Sequence, residues 1–181
     1  MSQPRKRQPL SLKGRALALL AQREQSASEL RRKLLRHART TAAAAADESD
    51  APADVLRAQA EVDDVLGWLR EHGYLSEERF VESRIHVRAP RYGNLRIRQE
   101  LAQHGVALSG DAAQALRDSE MQRAADVWQR KFGAPPADAA AKARHARFLA
   151  QRGFSPEVVA RLMRRIGFAP RADDGSGEPQ D

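Results

Sequence analysis

One short phrase recurs along this chain, and a recurring phrase restricts the fold severely, because a chain that repeats itself builds one supersecondary unit several times over. Leu101, Ala102, Gln103, His104 and Gly105 are echoed by Leu149, Ala150, Gln151, Arg152 and Gly153, and more loosely by Leu34, Leu35, Arg36, His37 and Ala38. Each copy closes a segment of helical apolar period. After each comes a turn and a further helical pattern: Asp54 to His72, Ser109 to Ser119, and Pro156 to Ile166. Before each comes a leading one: Leu12 to Arg23, Glu77 to Arg88, and Glu120 to Phe132. The unit is helix, helix, helix, three times. The expected fold is therefore all-α, three tandem three-helix repeats stacked into an elongated, curved array.

Local chemistry sets the boundaries. Ser26 with Glu29 forms a capping-box pattern that opens the second helix of repeat one. Asn94 and Asp138 stand at the matching N-cap positions of repeats two and three. At Gly153, Phe154, Ser155, Pro156 and Glu157, a glycine stop runs into an N-cap serine, an N1 proline and a first-turn acid. Gly73 to Ser76 makes a similar junction. These marks give repeat one as residues 12–72, repeat two as 73–119 and repeat three as 120–168. A basic N-terminus (1–11) and a polar tail (169–181) are expected to be disordered, and an Ala-rich loop within repeat one (39–53) to be weakly ordered, although its Ala run can extend either flanking helix. Val55, Val62, Leu66 and Leu69 form one buried stripe, and Val159, Leu162 and Ile166 another. Trp68 and Trp128 stand in no aromatic cluster, so they read as packing residues rather than base-stacking platforms.

Composition excludes more than it selects. Aromatic residues make up 5% of the chain and charged residues 30%. Mean hydropathy is -0.64, so each helix buries a narrow face. Cysteine is absent, which removes disulfides, thiolate nucleophiles and cysteine metal sites. The histidines (His37, His72, His86, His104 and His145) never form HExxH, and the Glu82/His86 and Glu100/His104 pairs read as surface helix pairs. There is no phosphate loop, dinucleotide fingerprint or nucleophile elbow. Asp63 and Asp64, adjacent on a helix, diverge by about 100°. No enzyme, cofactor or metal is expected. No apolar run approaches a membrane span, and MSQPRKRQPL has no apolar h-region, so a cytoplasmic monomer is expected.

Charge is more informative. The formal charge is +7 and the pI about 10.5, the footprint of a protein that meets polyanions. From Ser83 to Gln99 there is no acid, while Arg84, Arg88, Arg91, Arg96 and Arg98 all fall there. Repeat three adds Lys142, Arg144, Arg147, Arg161, Arg164 and Arg165, with few acids between them. Arg31, Arg32, Lys33, Arg36 and Arg39 form another acid-free run, whereas Asp47 to Glu78 is acidic. Basic blocks on successive repeats suit a phosphate backbone or a filament better than one base-pair site. The eleven cations of repeats two and three are the expected DNA- or filament-binding residues, with single- or double-stranded DNA bound without sequence preference.

Several of these stretches carry a resemblance. The SxxEL start at Ser26 with Leu34 below it, and the Gly73, Tyr74, Leu75 junction followed by Phe80, come first. Next are Arg91, Tyr92 and Gly93 leading into RIRQEL and His104, Gly105, Val106, and then RFLAQRGFS ahead of a VxxLM helix. In order from Leu12 to Gly167, they resemble the RecX family of bacterial recombination regulators. The Ala-rich insertion at Ala42 to Ala46, and Ala38 where a glycine often ends that helix, depart from the pattern. The resemblance implies three tandem three-helix repeats and a protein that modulates the RecA recombinase. Binding within or along the RecA filament on DNA would restrain ATP hydrolysis, strand exchange and promotion of repressor self-cleavage. Two alternatives stay open at this point: a sequence-specific helix-turn-helix-like regulator, and a helical-repeat scaffold that binds only protein.

Overall fold

A computed structural model describes residues 10–43, 51–108 and 110–168. Among these residues there are nine helices and no strand: α1 (Leu12–Leu20), α2 (Ala27–Ala43), α3 (Ala51–Glu71), α4 (Glu77–Arg88), α5 (Asn94–Gln103), α6 (Gly110–Asp118), α7 (Glu120–Lys131), α8 (Ala139–Gln151) and α9 (Pro156–Ile166). They fall into three consecutive sets of three. By contact the described residues divide into two compact units, the first drawn from those up to Arg84 and from 101–107, the second from 85–100 and those from Leu108 on. Helices α4 and α5 each contribute to both.

The first unit is built on α1, α2 and α3. Ala16, Leu30, Leu34, Val62, Leu66, Leu69 and Leu75 form its core. The stripe on α3 ends at Ala58; Val55, one turn further out, is 37% exposed, contrary to the sequence expectation. Hydroxyl caps start the helices, satisfying amides that have no intrahelical acceptor. Ser11 Oγ accepts from the Gly14 amide at 3.1 Å, Ser26 Oγ from Glu29 at 3.1 Å, and Ser76 Oγ from Arg79 at 3.2 Å. Only half of the capping box forms at Ser26, because the Glu29 carboxylate is taken by Arg23 and Lys33. Helix α1 stops at Leu20, short of Arg23, and the expected loop 39–53 is helical at both flanks, as its alanines favour. Its centre lies outside the described residues, as do most of the N-terminal segment and the tail.

In the second unit, α7, α8 and α9 close on Ala124, Val127, Trp128, Leu149, Phe154, Val159, Leu162 and Met163, with Ile166 packed against them. Trp128 is buried, as its reading from sequence required. Helix α9 divides sharply: Val159, Leu162 and Met163 face inward, and Arg161, Arg164 and Arg165 face solvent. Asp138 caps α8, accepting from Ala141 at 2.6 Å. Asn94 does not cap α5. It is the first helical residue, buried, and its side chain is spent on α7, so that the backbone carbonyl of Gly93 starts the helix instead, accepting from Ile97.

Candidate nucleic-acid interface

Within the second unit, the basic residues are organised around the loop that joins α4 to α5. Four consecutive carbonyls of that loop accept from arginines. Arg123 donates to Ala89 O at 3.3 Å and Tyr92 O at 2.8 Å, Arg130 to Pro90 O at 2.5 Å, and Arg152 to Arg91 O at 3.3 Å. A loop normally leaves such groups to water; here side chains of α7 and the residue that ends α8 occupy them, and the loop is fixed.

A buried carboxylate holds the same loop from below. Glu120, 4% exposed, accepts from the amides of Asn94 at 2.9 Å and Ser155 at 3.1 Å, and from the Asn94 side-chain amide and the Ser155 hydroxyl at 2.9 and 3.0 Å. Two segments 61 residues apart in the chain are thereby bolted to one oxygen pair. Backbone bonds complete the junction, Gly93 N to Arg152 O at 2.9 Å and Leu95 N to Gly153 O at 3.0 Å. The approach is so close that a Cβ on Gly93 would sit 2.2 Å from the Gly153 carbonyl oxygen. Burial pulls the Arg123 guanidinium below its ordinary value while the Glu120 charge acts the other way.

On this scaffold the expected binding residues separate into groups. Arg88 is half-buried and tied to Glu100 at 2.8 and 3.0 Å, a charge-assisted pair that raises its pKa and occupies it internally. Arg84, which belongs to the first unit, lies 5.4 Å from the Phe80 ring centroid and 3.5 Å from His104 Nε2. Arg91, Arg96 and Arg98 are exposed, with Arg96 held over the Tyr92 ring at 4.8 Å. Lys142 is half-buried, its ammonium 4.6 Å from the Phe168 ring centroid. Arg144 and Arg147 are exposed on α8, and Arg161, Arg164 and Arg165 share the outer face of α9. Among the described residues none of these exposed arginines has a carboxylate partner.

The binding set read from sequence leaves out three cations that the fold brings to it: Arg130, Lys131 and Arg152. Nothing local marks the first two, since basic residues are common in the last turn of a helix, and Arg152 belongs in the sequence to the basic run of repeat three and to a repeated helix ending. Only the folded chain brings them beside Arg91 and Tyr92. In the first unit, Arg32, Arg36 and Arg39 line one open groove along α2, while Arg31 is paired with Asp63 at 2.7 Å. No group of described residues is arranged to hold a metal ion. Chemically, these surfaces can bind anions.

Comparison with known proteins agrees with the architecture. Two family models match, the second three-helix domain of RecX over residues 76–116 and the third over residues 118–163. The chain is 45% identical to a protein named Regulatory protein RecX from Ralstonia nicotianae, over 93% of this chain and 95% of that one. It is 46% identical to the protein of the same name from Leptothrix cholodnii, over 87% and 90%. A third, from Pseudomonas entomophila, is 42% identical over 86% and 91%.

Proposed function

The chain belongs to the RecX family of regulatory proteins, and from that membership we propose that it binds the RecA filament on DNA as a monomer in the cytoplasm and restrains RecA's ATP hydrolysis, strand exchange and coprotease activity. The observation that carries the reading is the set of exposed arginines on α5, α8 and α9 that have no carboxylate partner among the described residues. Charges left open on a folded surface attract a polyanion at long range and bind it by releasing its counterions. The repeat limits 12–72, 73–119 and 120–168 belong to the same reading, each repeat offering one basic block. No helix among the described residues is long and apolar enough to cross a membrane.

A sequence-specific regulator fits less well. Such a protein reads base edges with Asn, Gln and Arg on one recognition helix. Helix α5 has that composition, but Asn94 is buried against Glu120 and Arg123 and cannot reach a base.

The test is RecA ATPase on single-stranded DNA, with and without this protein. Turnover should fall as the protein is added at ratios up to about one per RecA. It should fall equally in excess single strand, and an unrelated single-strand-dependent ATPase should be unaffected at the same dose. Inhibition relieved by excess DNA would mean simple sequestration and would remove the filament from the mechanism.

A further inference from the structure

We infer that the depression beside the α4–α5 loop is a site for single-stranded nucleic acid, holding a phosphodiester among arginines with an adjacent unpaired base stacked on a guanidinium plane. The site rests on the reading that this chain meets DNA, and is independent of RecA.

Arg91 and Tyr92 from the loop, Arg130 and Lys131 from the end of α7, and Phe148 and Arg152 from the end of α8 line the depression; no carboxylate does. A surface that gathers four cations without an acid stores mutual repulsion, which a bound anion relieves. Half of the arrangement is also fixed before any ligand arrives. Arg130 and Arg152 are each anchored by a loop carbonyl, and a guanidinium with five N–H donors keeps most of them for another acceptor. The loop itself cannot shift without breaking the Arg123 and Glu120 bonds beneath it. For these two arginines and the loop, little ordering cost therefore remains for binding.

Two features favour nucleic acid over an acidic peptide. Three of the four cations are arginine, whose fork matches phosphate oxygens. One guanidinium of the lining is backed by an aromatic ring of the lining, Arg152 on Phe148 at 4.6 Å, and Tyr92 at the other side carries Arg96 from outside it at 4.8 Å. A flat cation supported in this way is a platform for a base, and a carboxylate side chain has nothing to place on it. A duplex keeps its bases stacked inside, so only a single strand can use both parts of the site.

The experiment is fluorescence anisotropy of labelled oligothymidine with the full chain, RecA being absent. Arg91→Gln with Lys131→Gln removes two exposed side chains that make no hydrogen bond or ion pair among the described residues, so the variant should melt with the parent; Lys131→Gln alone is the fallback if it does not. Affinity should drop, and the slope of log affinity against log salt should flatten by about 1.4 for two lost contacts at about 0.7 each. Arg57→Gln with Arg70→Gln, which removes the same charge from exposed positions on α3, should leave both unchanged. Equal effects of the two double variants, or none from the first, would overturn the site in favour of a diffuse field. Displacement of oligothymidine by polyglutamate as readily as by unlabelled strand would overturn the phosphate assignment. Equal binding of an abasic strand would overturn the stacking platform, and equal binding of duplex the preference for single strand. Loss of oligothymidine binding with RecA ATPase restraint intact would separate this site from filament regulation, whereas a parent that never restrains RecA would overturn the regulatory reading alone.

Discussion

His145 is 8% exposed, receives the indole N–H of Trp128 on Nδ1 at 3.2 Å, and lies stacked on Phe132 with ring centroids 3.6 Å apart. Burial, and then the charge of Arg144, push its pKa below the ordinary 6.5. Protonation would remove the acceptor from Trp128 and charge a packed ring. Because the folded pKa is the lower one, this contribution to stability is full above about 6.5 and is lost as pH falls from there toward the folded value. Glu29 behaves likewise in the first unit, at lower pH. Burial alone would raise it, but hydrogen bonds and charge from Arg23 and Lys33 hold it at about 2, against an ordinary 4.5. Its contribution is full above about 4.5 and declines only below. On acidification the urea midpoint of the second unit, followed by Trp128 emission in a Trp68→Phe background, should fall first, below about pH 6.5. His145→Phe should flatten that decline. A midpoint still independent of pH down to 5 in the parent would show that the histidine is not titrating against the fold. None of this was legible in the sequence. Five scattered histidines look alike until packing chooses one, and Glu120 reads there only as a first-turn acid of α7.

Helix ends were far more legible, because capping is local chemistry. The starts of α4 and α9 follow from Ser76 and from the Gly153 to Pro156 junction, which need no knowledge of the rest of the chain. Where a residue answers to a distant partner, the local reading fails. Asn94 looks like a cap and is instead a bolt to α7; Gly93 looks like a turn residue and is a crossing point. Two glycine substitutions separate the local rule from the distant one. Gly67 lies within α3, and an added Cβ meets nothing within 4 Å, so Gly67→Ala should stabilise by about 0.5 to 1 kcal/mol through helix propensity. Gly93→Ala would drive a methyl into the backbone of Gly153 and Phe154, and the crossing is tight from both sides, since a Cβ on Gly153, itself at φ 80, would lie 2.6 Å from Arg96 Cβ. That change should cost at least about 2 kcal/mol. Denaturant midpoints of the two variants decide the matter. A tolerated Gly93→Ala would mean that α5 can part from the α8–α9 turn without loss, and that the loop of arginine-capped carbonyls is not a fixed platform.

For the molecule as a whole, the repeat phrase revealed the architecture and the charge runs revealed that it is basic, but not which charges remain open. Arg31 and Arg88 lie in basic stretches and end in ion pairs with Asp63 and Glu100. Arg147 on α8 and Arg164 on α9 end in none among the described residues, and both are exposed. They form the sharpest test of whether basic surface carries regulation. Reversing both to Glu changes the local charge by four, turning attraction for a polyanion into repulsion, and exposed like-for-like reversals disturb stability little. Leu149, Val159 and Leu162, the buried residues beside them, are untouched. Far-UV circular dichroism and the melting midpoint should match the parent. Restraint of RecA ATPase should then weaken, most at low salt, because the interaction being reversed is the one that salt screens. Lowering the salt should widen the gap between parent and variant, and raising it should narrow the gap as both lose affinity. If the folded variant restrains RecA as the parent does at every salt concentration, the outer faces of α8 and α9 are only solvated, and the filament must be met through some other surface of the chain.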